Sequence, residues 1–370
     1  MAQIRILVVD DSVVVRKLLA ETLSQDPALE VVGMASDGRI ALQKIPVLNP
    51  DLVTLDVEMP VMDGLQTLAE LRKLYLKLPV IMFSTLTERG ATATLDALSL
   101  GASDYATKPS NTGSPAAAIE AIRSELIPKI KALCVRRVPK LALLPPIPAP
   151  RRVRPPIDRR IEIVAIGTST GGPNALAEVL PHIQKDFPVP IVTVQHMPPI
   201  FTRALAERLA SRSRVPVEEA TAGTTLSPGH VWIAPGNFHM TVKRTGLTSQ
   251  LALNQGPPEN FCRPSVDVLF RSVAATFGAN VLGVVMTGMG SDGVIGAQHI
   301  RQAGGEVIIQ DEATSVVWGM PGLVQAAGQA DAVYPLDQLA GEITRRVLHG
   351  QRGRIPVSSG HNLEIPQNER

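Results

Sequence analysis

Ser169 stands in Gly167-Thr-Ser-Thr-Gly171, a letter-for-letter match to the G-x-S-x-G nucleophile elbow. The apolar run Ile163 to Ile166 precedes it, and Gly172 and Pro173 follow. Proline suits a first helical turn, where its missing N–H would have no partner anyway. The pattern predicts strand, tight glycine turn and helix, with the serine hydroxyl exposed at the bend beside backbone N–H groups. Two other readings of these letters stay open at this point. One is a phosphate cradle, although no Lys-Ser/Thr pair follows the glycines and the G-x-G-x-x-G spacing is absent. The other is a plain strand–helix turn whose glycines permit unusual backbone angles.

Two more residues bear on that choice. Val189 to Val194 is an apolar run ending in Gln195-His-Met-Pro-Pro199, so His196 falls just past a strand's carboxyl end. Val281 to Met286 is another, followed by Thr287-Gly-Met-Gly-Ser-Asp-Gly293. The glycines there let the backbone turn closely and point N–H groups into a cleft. Asp292, taken singly, is an N-cap for a helix from Gly293. Taken with Ser169 and His196, it completes a nucleophile, a base and a carboxylate at three strand ends. A serine hydroxyl is a poor nucleophile until an imidazole takes its proton, and a carboxylate holds that imidazole in the right tautomer. Backbone donors must then stabilise the oxyanion, a contribution of roughly 3 kcal/mol per donor. The order Ser, His, Asp differs from the Ser, Asp, His of ordinary α/β-hydrolases. Of the other histidines, His182, His299 and His349 fall in helical stretches, and His230 and His239 flank Val231 to Pro235, where packing roles suffice. No H-E-x-x-H or Cys/His spacing suggests zinc.

A second set of reactive groups lies in the first half of the chain. Asp10 and Asp11 follow one apolar run, and Asp56 ends another in Thr54-Leu-Asp-Val-Glu-Met-Pro60. Ser84-Thr85 and Lys108-Pro109 follow two more. Three carboxylates converging on one pocket repel each other unless a hard divalent cation joins them, and Mg²⁺ prefers such oxygen ligands. A nearby ammonium and hydroxyl then hold a phosphoryl group. The alternative is that each acid merely caps the next helix.

The elements that must position these groups alternate. The first half reads as strands Ile4 to Val9, Val31 to Ala35, Leu52 to Asp56, Val80 to Ser84 and a short one near Tyr105. Helices follow: one capped by Asp11 or Ser12 and running through Leu23, then others from Gly38, Leu65, Glu88 and Pro115. Five such units imply a doubly wound parallel sheet with its site at the carboxyl ends of the strands. Length supports two domains, at roughly 100–200 residues each. We place the first at residues 1–134, a linker at 135–160, the second at 161–349 and a polar tail at 350–370. Residues 136–160 hold seven prolines and eight basic side chains against the single acid Asp158, a charge of +7 in a chain whose net is +2. Such a segment is extended, ~3.1 Å per residue where polyproline-like. It is either simply solvated or attracts an acidic surface.

The first half resembles, over its full length, the receiver domain of bacterial response regulators, a flavodoxin-like fold. The resemblance implies that Asp56 accepts a phosphoryl group from a histidine kinase and that Asp10, Asp11 and Asp56 hold Mg²⁺, with Glu58 supplying a backbone carbonyl. It makes Lys108 the phosphoryl contact, Ser84 rather than Thr85 the switch hydroxyl, and Tyr105 the aromatic switch. The second half resembles the catalytic domain of the chemotaxis methylesterases, a Rossmann-like fold. The matching text is Ile166-Gly-Thr-Ser-Thr-Gly-Gly172, Gln195-His-Met-Pro-Pro199, Pro228-Gly229, Ile233-Ala-Pro-Gly236, Arg263-Pro-Ser-Val-Asp-Val-Leu-Phe270 and Thr287-Gly-Met-Gly-Ser-Asp-Gly293. It implies the triad Ser169, His196 and Asp292, with the Met289 N–H as an oxyanion donor and Thr170 as a helper. The family often has alanine where this chain has Thr168. Hydrolysis of γ-methyl glutamyl esters on chemoreceptors follows, with deamidation of their glutamines, under control of a receiver that covers the cleft until phosphorylated. No cofactor is implied for the ester chemistry.

Composition sets the outer bounds. A net charge of +2, with basic excess confined to the linker and no helix-turn-helix pattern, argues against a DNA-acting regulator. Two cysteines, Cys134 and Cys262, fit a reducing cytosol and inert thiols. No apolar run reaches ~18 residues, and no signal-peptide pattern opens the chain. The expected protein is cytoplasmic, without membrane insertion. The remaining competitor is a phosphorylation-dependent scaffold with an idle hydrolase domain.

Overall fold

The computed structural model describes residues 3–108, 114–134 and 160–349. The polar tail lies outside the described residues, as does all of the linker but Arg160. Two parallel sheets organise the rest.

The first sheet holds β1 (Ile4–Val9), β2 (Leu29–Ala35), β3 (Leu52–Asp56), β4 (Val80–Ser84) and β5 (Asp104–Thr107). Their order is β2-β1-β3-β4-β5, all parallel. β3 and β4 are buried along their whole length, which is why they read as continuous apolar runs. The helices are α1 (Val13–Leu23), α2 (Gly38–Leu48), α3 (Gly64–Leu74) and α4 (Glu88–Ser99), then α5 (Pro115–Ala121), a π-helical stretch and α6 (Ile127–Cys134). Ser12, rather than Asp11, caps α1; Asp37, Asp63 and Thr87 cap the next three, Asp63 in a reciprocal capping box with Gln66. With Ser12 serving as the cap, Asp11 is free of that duty.

The second sheet runs β14-β13-β12-β6-β7-β9-β8, again all parallel. In chain order its elements are β6 (Ile163–Thr168), α7 (Gly172–Val179), β7 (Ile191–Gln195), α8 (Pro199–Ala210), β8 (Val217–Glu219) and β9 (Val231–Ile233). An antiparallel hairpin follows, β10 (His239–Thr245) and β11 (Thr248–Asn254). Then come α9 (Val266–Phe277), β12 (Val281–Val285), α10 (Val294–Gln302), β13 (Glu306–Gln310), α11 (Met320–Ala326), β14 (Ala332–Tyr334) and α12 (Leu336–His349). The hairpin is an addition to the expected doubly wound pattern. β7 begins after Pro190, which has no N–H to give the ladder. From β6 the chain proceeds outward through β7 on one side and returns through β12 on the other. The β6/β12 crevice is therefore the switch point where open α/β sheets place their sites.

The two units share one continuous apolar core: Ala91, Leu95, Leu98 and Tyr105 of the first belong to the same buried cluster as Phe201, Leu205 and Leu209 of the second. Tyr105 stacks on Phe201 with ring centroids 4.8 Å apart. Around that stack, Asn174 donates to Leu98 O, Arg208 pairs with Asp96 and Ser99, and Thr170 donates to Asp104.

Candidate active site

Ser169, His196 and Asp292 occupy the loops after β6, β7 and β12, three adjacent strands of the second sheet. The elbow is built by close approach. A Cβ on Gly172 would fall 2.0 Å from Gln195 Oε1, and one on Gly288 2.9 Å from Ser169 Cβ. Gly171, at φ +79°, takes a left-handed turn that glycine adopts without cost. Gln195 ties the loops together by donating to Ser169 O (3.0 Å) and His196 O (3.2 Å). Thr168 turns its hydroxyl to Thr287 O at 3.1 Å, a buried bond an alanine could not make.

His196 Nε2 lies 2.8 Å from Asp292 Oδ2. Asp292 is not the helix cap that its position suggests, because the N-cap of α10 is Gly293, with no side-chain cap. Its carboxylate instead sits on the amino end of α9. Val266 N–H donates to Oδ2 at 2.6 Å and Asp267 N–H to Oδ1 at 3.0 Å, with Ser265 Oγ at 2.8 Å and Asn260 Nδ2 at 3.1 Å. The exchange is reciprocal: Asp267, in the first turn of α9, accepts from Gly293 and Gly296 at the start of α10. Burial opposes charge on Asp292, but the His196 imidazole and these N–H groups hold it down at about 2. Burial likewise works against an imidazolium, and the Asp292 carboxylate with the Cys262 sulfur overcomes it, carrying His196 up to about 10. Cys262 Sγ lies 3.5 Å from the other ring nitrogen, Nδ1.

The N–H groups of Thr170 and Met289 donate to no acceptor among the described residues. The Thr170 side chain faces away, its hydroxyl given to Asp104 Oδ2 of the first unit at 2.9 Å. Asn260, Cys262, Ser265 and Asp267 were not singled out from sequence, apart from Cys262 as an inert thiol. Pro-Ser-Val-Asp did carry a usable signal, a serine cap followed two residues on by an acid at a helix start. His230 stacks on Trp232, and His239 meets Pro257 O, both in packing roles.

In the first unit, Asp10, Asp11 and Asp56 bring carboxylate oxygens within 4.8 Å of one another. Lys108 Nζ bridges Asp10 (2.8 Å) and Asp56 (2.6 Å). Burial pushes the Asp56 carboxyl up to about 6, aided by the Asp10 charge and opposed by Lys108. A cavity of about 220 Å³ opens there, lined by Asp11, Asp56, Glu58, Ser84, Thr85 and Lys108. Crowded, destabilised carboxylates on an open cavity suit a hard cation such as Mg²⁺. Glu58 turns its side chain outward to Arg89 at 3.4 Å, leaving its backbone carbonyl as the available group. Ser84 Oγ donates to Gly90 O at 3.2 Å, so its hydroxyl is turned toward α4. Tyr105 is buried in the contact with Phe201.

Comparison with known proteins matches residues 164–343 to the CheB methylesterase family and residues 6–120 to the response regulator receiver domain. A protein-glutamate methylesterase/protein-glutamine glutaminase of Trichodesmium erythraeum is 54% identical over 94% of this chain and 100% of its own length. One from a Nocardioides species is 50% identical over 97% of this chain and 100% of its own length. The solved CheB methylesterase catalytic domain of Thermotoga maritima shares 42% identity and a TM-score of 0.50, covering 50% of this chain and 99% of that one.

Proposed function

The chain belongs to the CheB methylesterases that carry a response regulator receiver domain, and from that premise we propose that Ser169, His196 and Asp292 perform its ester hydrolysis. The activity is that of a protein-glutamate methylesterase and protein-glutamine glutaminase in chemotaxis, controlled by phosphorylation. Ser169 Oγ attacks the γ-carbonyl of a methyl-esterified glutamate. His196 takes its proton and returns it to the departing methoxide, releasing methanol. Water then repeats the attack on the acyl-enzyme, with His196 again as base, and frees the carboxylate. For a glutamine the same steps release ammonia.

One observation carries this assignment. His196 Nε2 is committed to Asp292, so Nδ1 is the nitrogen available for proton transfer. The oxyanion goes to the open N–H groups of Thr170 and Met289. Among the described residues no helix is long and apolar enough to cross a membrane, which fits a substrate presented on the receptors' cytoplasmic portion.

Asp56 is the phosphoryl acceptor, served by a histidine kinase. Asp10, Asp11, Asp56 and the Glu58 carbonyl would hold Mg²⁺, whose charge would offset that of the phosphoryl oxygens. Lys108 releases one carboxylate to contact them. Ser84 then turns from Gly90 toward the phosphoryl group, Tyr105 follows, and its stack on Phe201 loosens the cover over Ser169. Methanol release from methylated receptor membranes tests this reading. Release should require Ser169, rise with a small phosphoryl donor, and lose that rise in Asp56→Asn. Equal rates in wild type and Ser169→Ala would overturn it.

A further inference from the structure

We propose that Cys262 and His196 form a binding site for a thiophilic divalent cation of the Zn²⁺ class, and that its occupation switches the esterase off. No sequence spacing announces the pair, whose members are 66 residues apart. Geometry does. Cys262 Sγ and His196 Nδ1 are 3.5 Å apart. A tetrahedral zinc with Zn–S of about 2.3 Å and Zn–N of about 2.0–2.1 Å holds its two ligand atoms about 3.5 Å apart. The cation fits without moving either side chain far.

The surroundings select the same nitrogen. The Asp292 carboxylate lies in the same cluster, its ligand atom within 4.8 Å of the other two. Its oxygens already accept from Ser265, Val266, Asp267, Asn260 and Gly293. It therefore stays outside the coordination sphere and accepts a hydrogen bond from Nε2–H, which leaves Nδ1 as the nitrogen that faces the metal. A ligating histidine whose other nitrogen donates to a carboxylate is the arrangement that strengthens zinc binding. Cys262 is held in place by a two-residue turn, its N–H and C=O both paired with Glu259 at 2.8 and 3.1 Å. Cys262 and Cys134 are both free thiols. On binding, Cys262 S–H and the protonated His196 Nδ1 each give a proton to solvent, and the thiolate and the neutral ring ligate the metal with no change of oxidation state. Water fills the remaining positions. The Nδ1 lone pair that must receive the Ser169 proton is then occupied, so inhibition rests on His196 acting as the base.

The test uses the full chain, activated by a phosphoryl donor, with Zn²⁺ at buffered free concentrations. Each protein is normalised to its own rate in chelator. Wild type should lose at least about tenfold in rate and recover on chelation, and Cys262→Ala should need at least about tenfold more Zn²⁺ for the same loss. Co²⁺ gives a readout independent of turnover. Wild type and Ser169→Ala should both show a thiolate-to-cobalt charge-transfer band, and Cys262→Ala should show none. Carboxylate sites in the receiver cannot produce that band. Equal Zn²⁺ sensitivity in wild type and Cys262→Ala, or no band in wild type, overturns the site. Because Ser169→Ala keeps the band yet is inactive, a wrong assignment of Ser169 would show separately, as turnover in that variant.

Discussion

Thr170, the residue after Ser169, donates its hydroxyl to Asp104 of β5 at 2.9 Å, a buried bond between the two units. Asp104 also accepts the N–H of Tyr105 and lies 3.6 Å from Lys129, whose ammonium in turn stands over the Tyr105 ring. One carboxylate thus links Tyr105 to the glycine elbow. A hydrogen bond to a charged group is worth about 1.5–3 kcal/mol. Removing it should open the covered state correspondingly. Asp104→Ala is expected to raise the unphosphorylated methylesterase rate by about 13-fold, the low end of that range. The donor-stimulated rate should change little. An unaltered unphosphorylated rate would mean that this contact does not hold the cover down.

Asp292 is oriented by groups that touch no substrate. Ser265→Ala removes one of its donors and the hydroxyl that caps α9. We expect kcat of the activated protein to fall by about 3–10-fold with KM unchanged, since the Asn260, Val266, Asp267 and Gly293 donors remain. The lost cap should cost about 1 kcal/mol of stability. Asn260→Ala should lower kcat similarly without touching that cap. A change confined to KM would place these residues in substrate binding instead.

What could be read from the chain, and what could not, divides along physical lines. Ser169, His196 and Asp292 were legible because a parallel strand buried on both faces is a continuous apolar run, and its end marks where a loop enters the cleft. The same logic exposed Asp10, Asp56, Ser84 and Lys108. Asn260 and Ser265 were hidden because they act on Asp292 from 32 and 27 residues away, with no period to betray them. The Asp104–Thr170 and Tyr105–Phe201 contacts depend on two surfaces meeting, which local pattern does not encode. The β10–β11 hairpin was missed for a local reason. Its burial alternates only near the start and is exposed at the turn, so apolar runs do not outline it.

The charge on His196 predicts a pH profile. A base must be neutral, and Asp292 with Cys262 favours the protonated ring, placing it at about 10 against the usual 6.5. Activity should therefore fall as pH drops through a value above 6.5, and rise toward alkaline pH. Cys262→Ala removes the sulfur's share and should move that acid limb downward. Both profiles are measured as kcat/KM on activated protein in chelator. An acid limb at or below 6.5 in wild type would sink the argument.

Phe261 occupies the turn that carries Cys262, and its backbone opposes its identity. Asn260 and Phe261 both have positive φ, 51° and 63°, the signature of a two-residue hairpin turn that favours Asn-Gly. A bulky residue there is strained, at a cost on the order of 1 kcal/mol. The ring returns nothing to folding, since it is 104% exposed. Strain of this kind persists where the side chain serves function, and this ring stands one residue from the sulfur that faces His196. Phe261→Gly should therefore raise Tm, because glycine relieves the left-handed backbone, while raising KM for receptor membranes and leaving kcat in place. Thermal unfolding and receptor titration on the same preparation separate the two effects. A lower Tm would refute the strain, and an unchanged KM would remove the ring from receptor contact.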